Sequence, residues 1–196
     1  VDPDDFFDPV YGLHAKGPNA EEAFPHVGAN FWKKTELPIH IELFEETGLA
    51  SIDQDAGLRI FGAFSRGMAK KSVHVIARSK YGSDRFHYPL FPTKQLDSVR
   101  SFVLRQSGQD AYKTRFRDAL MTQLISDSTV DFQGHRPVVL YINGQYWGLY
   151  NIREKINQHF IADNHQLRPE DVNLLRANGA PDHGSNQTYH RMLNVF

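Results

Sequence analysis

The chain has 196 residues, 40% of them apolar and 23% charged, an ordinary globular composition that excludes disorder throughout and leaves room for a self-standing core. Lys and Arg number 22 against 23 Asp and Glu, a formal charge of -1, so whole-chain attraction to nucleic acid or to a membrane surface is not expected. No apolar run reaches the roughly 18 residues of a membrane helix, and with no Cys there is no disulfide framework, thiolate metal site or thiol nucleophile.

In chain order, Pro38-Ile39-His40-Ile41-Glu42-Leu43-Phe44 alternates apolar and polar, which predicts a strand with one buried face. Strands are also expected over 58–62, 72–78 and 99–105. A helix is predicted over 111–126, because Tyr112, Phe116, Ala119, Leu120 and Leu124 recur at spacings of three and four, with Asp110 standing at the N-cap position. The sharpest local signal is Asn143-Gly144 between two β-prone runs, 137–142 and 145–152. These residues supply the positive φ values of a type I′ turn, so a hairpin is expected. A second helix is predicted over 153–164. A third is suggested by Tyr189, Met192, Leu193 and Phe196, its apolar face still running at the last residue. No repeat or linker composition divides the chain, so residues 1–196 are expected to form one domain, and that unfinished face suggests an incomplete one.

Charge is segregated along the sequence. Residues 36–55 carry six acids and no Lys or Arg, whereas residues 59–80 carry six bases and no acid. Within the basic stretch, Gly62-Ala63-Phe64-Ser65-Arg66-Gly67-Met68-Ala69-Lys70-Lys71-Ser72 joins two expected strands. Backbone N–H groups and Ser65 could donate to phosphate oxygens while Arg66, Lys70 and Lys71 neutralise charge; the alternative is a solvated basic hairpin. It lacks the Walker frame. Arg105, at a strand end, either holds a phosphate or carboxylate or pairs with Asp110 or Asp118. Tyr146, Trp147 and Tyr150, followed by Glu154 and Lys155, are either packing residues or the wall of a ligand pocket. The ten His show no metal-ligand spacing, so no metal site is expected. Asn186-Gln187-Thr188 fits the glycosylation triplet, which is too common by chance to carry weight.

Taken in order, four segments resemble the spore-coat protein H (CotH) kinase-like family, in its large bacterial extracytoplasmic form. They are the Gly-Ser-Arg loop closing on Lys70-Lys71-Ser72-Val73; Tyr88-Pro89-Leu90-Phe91; Phe102-Val103-Leu104-Arg105 with Ser107-Gly108-Gln109-Asp110 and Phe116-Arg117-Asp118; and the stretch 137–156, including Tyr141-Ile142-Asn143-Gly144-Gln145-Tyr146-Trp147-Gly148-Leu149-Tyr150 and Glu154-Lys155. The last is the most specific. The resemblance implies an α+β fold, a mainly antiparallel sheet with a few packed helices, like the small lobe and inter-lobe region of an atypical protein kinase.

It further implies ATP and magnesium as cofactors and phosphorylation of Ser on a coat or surface protein. Lys71 is the first choice for the phosphate lysine and Lys70 the second, with Ser65 and Arg66 beside them. Arg105 would stand at the approach to the helix behind that strand, and residues 150–154, ending in Glu154, would lie along adenine and ribose. The metal-holding and base Asp residues of the family are expected downstream of this chain, so by itself it is expected to be inactive and to hold no bound cofactor. An extracytoplasmic or secreted location follows from the family, with a protein substrate as partner, no nucleic acid and no membrane insertion. The competing classes are a non-catalytic surface or coat-assembly module that keeps the kinase-like shell, and transfer of phosphate to a small molecule or sugar.

Overall fold

The computed structural model describes residues 1–195, which divide into two compact units, Val1–Glu154 and the residues from Lys155 on. The first is built on a six-stranded antiparallel sheet, β1 (Leu37–Phe44), β2 (Ala50–Phe61), β3 (Ser72–Ile76), β4 (Ser101–Arg105), β5 (His135–Ile142) and β6 (Gln145–Glu154), in the spatial order β1-β2-β3-β4-β6-β5. With helices few and separate, this is the α+β class that the sequence implies. Asn143 and Gly144 take φ values of 50° and 78°, the left-handed turn expected between β5 and β6.

Register makes the two faces of this sheet chemically different. Ile60, Val73, Leu104 and Ile152 stand side by side on four strands, and all belong to the buried core. One residue further along, Arg59, His74, Val103, Arg153 and His135 form the adjacent row, and alternation puts them on the opposite face. The N-terminal segment covers the apolar face, contributing Phe6, Leu13, Ala29 and Phe31 to the core. Its first element, α1 (Pro3–Phe7), is started by Asp2, whose carboxylate accepts from the N–H groups of Asp4 and Asp5.

Three expected elements take different bounds. The helix predicted over 111–126 is only α2 (Arg117–Leu124). Asp110 does not cap a helix beginning at the next residue. It sits in a 3-10 turn, Gly108–Asp110, and its Oδ2 accepts from the Thr114 hydroxyl at 2.7 Å and from the Arg117 N–H at 3.1 Å, with Arg115 at φ 62° breaking the helical path between. Tyr112, read as part of an apolar face, is 79% exposed. The helix predicted from 153 begins later, because Arg153 and Glu154 complete β6. In the second unit, α3 (Gln158–His165) is capped by Asn157, which accepts from the Phe160 N–H at 3.0 Å. The strand read over 58–62 extends back to Ala50, through the acidic residues that pair with β1.

The second unit continues with a short β7 (Leu174–Leu175) and β8 (Pro181–His183) pair and α4 (Gln187–Leu193). Phe160, Ala162 and Val172 are its buried apolar residues. Of the apolar face expected near the end, Met192 and Leu193 lie on α4 and are half exposed, and Phe196 lies outside the described residues. No helix is long and apolar enough to cross a membrane among the described residues.

One buried carboxylate organises the charges beside β1. Glu36, with a side chain 7% exposed, accepts from Arg59 at 3.0 Å, Arg78 at 2.8 Å and Tyr81 at 3.2 Å, and pairs with Lys80 at 3.1 Å. Gly57 makes room for it: a Cβ there would lie 2.7 Å from the carboxyl carbon. Burial pushes the Glu36 pKa up, but hydrogen bonds from Arg78 and Lys80 and the charges of Arg78 and Arg59 outweigh it and hold the group at about 2. A folded-state pKa below the ordinary 4.5 stabilises the protein above that value and is lost as pH falls toward about 2. Glu36→Ala, which leaves three partly exposed cations without their carboxylate, is therefore expected to lower stability by about 1 to 2 kcal/mol at neutral pH. Urea denaturation followed between pH 5 and pH 2 should also show a shallower loss in the variant than in the wild type.

Candidate functional site

The loop from Gly62 to Lys71 closes over the apolar side of the sheet. It begins at Gly62, whose φ of 114° a Cβ would strain, and a Cβ there would lie 2.4 Å from Ser65 Oγ. Ser65 and Arg66 belong to a 3-10 turn, Phe64–Gly67. Arg66 folds back to donate to the carbonyls of Gly62 and, at 3.0 Å, of Phe31, with its guanidinium 5.5 Å from the Trp32 ring centre. Lys71 reaches Phe31 as well: its Nζ lies 4.0 Å from that ring centre and donates to the Met68 carbonyl at 2.9 Å. Both cations thus grip the short turn Asn30–Trp32.

The same loop meets β6. The Tyr150 hydroxyl, buried, donates to the Lys71 carbonyl at 3.1 Å. Lys70 lies across Gly148, where a Cβ would stand 2.4 Å from its Nζ. Close by, His14 packs edge-on against Trp147 with ring centres 5.6 Å apart. The basic turn and the aromatic hairpin therefore converge, with two residues of the N-terminal segment, His14 and Lys16, brought in beside them.

The electrostatics of this cluster are one-sided. Among the described residues, none of Lys16, Arg66, Lys70 and Lys71 is paired with a carboxylate, in contrast to the three cations collected by Glu36. Lys71 is 5% exposed, and burial followed by the charge of Lys16 lowers its pKa from 10.5 to about 8. Burial and the Lys71 charge lower His14 to about 4, against a hydrogen bond with the Ala69 backbone that raises it. His14 and Lys16 carry no signal in the sequence, since they lie more than fifty residues from Lys71 along the chain and only tertiary packing brings them beside it.

Arg105 and Glu154 are not part of this cluster. Strand alternation puts Arg105 on the opposite face from Leu104, beneath α2, where its Nε stands 3.1 Å from Asp118 Oδ2. Of the two partners open to it in the sequence, Asp118 is the one taken. Arg153 joins the same carboxylate through Nη1 at 2.5 Å and reaches Gln133 at 3.0 Å. Glu154 does lie on the apolar face, in register with Phe102, but four residues beyond Tyr150, about 13 Å along the strand. Its carboxylate accepts from the Gly134 N–H at 2.6 Å and stands 3.5 Å from Lys94 Nζ, which ties the end of β6 to the segment before β5.

His40, Glu42 and Asp53, exposed on β1 and β2, are the one trio of possible metal ligands among the described residues, with ligand atoms within 4.8 Å of one another. His40 is occupied by Asp53 at 3.0 Å and Asp55 at 2.9 Å, and the hydrogen bond to Asp55 leads the effects that raise its pKa. The trio includes no residue of the basic loop. These residues do not fit a magnesium ion bound beside that loop.

The depressed Lys71 pKa has a measurable sign. Between about 8 and 10.5 the unfolded chain holds a proton that the folded one has released, so stability rises with pH through that window. Lys71→Met, which keeps the contact with Phe31 and removes the charge, is expected to abolish this rise. Urea titrations at pH 7 and pH 10 measure it, and an equal rise in both proteins would count against a strained, buried ammonium.

No curated protein matches the chain. The family model described as CotH kinase protein matches residues 58–193, from the last four residues of β2 to the end of α4 and so including the basic loop, the β5–β6 hairpin and Arg105. With well over half of its residues matched, the chain belongs to the CotH kinase protein family.

Proposed function

We propose that this protein takes part in ATP-dependent phosphorylation of Ser on a coat or surface protein, with the basic loop as the grip for the nucleotide's phosphates. The observation that carries the reading is the group of cations, Arg66, Lys70, Lys71 and Lys16, left without carboxylates and held by contacts with Phe31, Gly148 and Tyr150. A polyanion is the chemical complement of such a group. An approaching phosphate would favour the protonated form of Lys71, so the ammonium that burial weakens would be restored by its ligand.

In phosphoryl transfer the protein's part is to place the reactants and to offset charge on the transferred group, which calls for fixed donors more than for covalent chemistry. Arg66 and Lys71 are fixed in this sense, each anchored on Phe31, and Ser65 stands beside them. Magnesium would ordinarily share that charge, but the residues described do not fit it beside the loop. The location is proposed to be extracytoplasmic, in keeping with a chain that carries no Cys.

The test uses the full-length protein with radiolabelled ATP and a Ser-rich acceptor. Lys71→Ala, if still folded by circular dichroism, is expected to lower γ-phosphate incorporation by about 100-fold or more. Labelling equal to wild type would remove Lys71 from the proposal. ATP binding with no transfer to any acceptor would favour a nucleotide-binding assembly module over a kinase. For the 196-residue chain itself, calorimetric titration with Mg-ATP is expected to show no micromolar affinity, and such affinity would contradict the assignment of the metal ligands to residues other than these.

A further inference from the structure

The pocket beneath α2 sets two guanidinium groups, those of Arg105 and Arg153, against one shared carboxylate, Asp118. Arg105, Arg115 and Arg153 line it together with Asp110, Asp118 and Asn151. Arg153 is nearly sealed off, its side chain 3% exposed, and although two of its nitrogens are used, its Nε has no hydrogen-bond partner. Arg105 Nε also lacks a hydrogen bond, because Asp118 Oδ2 stands near it but off the line that a hydrogen bond requires. Asp110 Oδ2 fixes the start of α2, while its Oδ1 stands 3.6 Å from Arg117, drawn to that cation without a hydrogen bond.

Asp118 alone thus answers two guanidinium groups, and its own side chain is 47% exposed. A carboxylate so placed can turn to water at little cost, whereas the buried Arg153 cannot follow it. Arginine presents paired N–H donors that suit a phosphate as well as a carboxylate. The cavity is about 10 Å³, room for a single water, so an oxyanion could enter only where the Asp118 carboxylate now sits.

We propose that this pocket is a second phosphoryl-oxyanion site, on the sheet face opposite the basic loop, and that Asp118 closes it by occupying the anion's place. The inference rests on the kinase reading only for the source of the phosphate. Its distinctive consequence is that removing a negative charge from α2 strengthens anion binding by more than general electrostatics would.

The test is phosphate titration of the protein, followed through the Nε–H resonances of its arginines by NMR. Inorganic phosphate is expected to shift the Arg153 and Arg105 signals, and Asp118→Asn to bind it about tenfold more tightly. Asp84→Asn, which removes an equal charge outside the pocket, should change affinity little. Equal or weaker binding by a folded Asp118→Asn protein overturns the proposal. Should that variant fail to fold, the wild-type titration decides: shifts at Arg153 support the site, and their absence at tens of millimolar phosphate overturns it. Competition by ATP for these shifts would identify nucleotide as the source, and competition by a phosphoserine peptide would identify the modified protein. Asp118-dependent binding without any phosphate transfer would sink the kinase reading and leave the pocket standing; transfer with Asp118-independent binding would do the reverse.

Discussion

The alternation of side chains across β2, β3, β4 and β6, which pair without a register shift, is the constraint from which the rest of this structure follows. Because Val73 pairs with Leu104 and Leu104 with Ile152, the neighbours of each are forced onto the other face. Arg105 and Arg153 therefore gather under α2, while the chain leading into Val73 delivers Lys71 to the side covered by the N-terminal segment. A slip of one residue between β3 and β4 would turn Arg105 and Arg153 onto the apolar face, away from Asp118, and expose the core. The cost of burying those charges unpaired is what fixes the register as firmly as the apolar contacts do.

Charge is handled in three different ways on this one sheet. Glu36 gathers Arg59, Arg78 and Lys80 into a compensated cluster beside β1. Under α2, the carboxylate of Asp118 is divided between two arginines. At the basic loop no acid among the described residues pairs with the cations, which rest on aromatic rings and backbone carbonyls instead, and burial followed by the charge of Lys16 leaves Lys71 with a depressed pKa. Structural ion pairs tend toward neutrality, so the loop is where a ligand's negative charge would have the greatest effect.

Much of this architecture was legible in the sequence. Asn143-Gly144 marked its hairpin because a type I′ turn needs residues tolerant of positive φ, and the strands around Val73 and Leu104 showed themselves by alternation. The motifs around Lys71 and Tyr141–Tyr150 led to the family that the matched residues show. The helix predicted from residue 111 failed because periodicity cannot register a carboxylate that folds the chain around itself, as Asp110 does, nor a left-handed residue such as Arg115. Reading a helix from 153 had a similar cause: Arg153 and Glu154 are polar, yet each is buried on its own face of β6 by partners distant in sequence, Asp118 and Gly134. The grouping of candidate residues was legible only in part. Ser65, Arg66, Lys70 and Lys71 share a loop and stay together, whereas the face on which Arg105 lies depends on strand register, and the approach of His14 and Lys16 depends on tertiary packing.

The central claim is that the uncompensated cations of the basic loop receive the phosphates of a nucleotide. A crystal structure of the full-length protein with a non-hydrolysable ATP analogue tests it most directly. The account predicts phosphate oxygens within hydrogen-bonding distance of Arg66, Lys70 or Lys71; phosphates bound clear of the whole segment from Gly62 to Ser72 would contradict it.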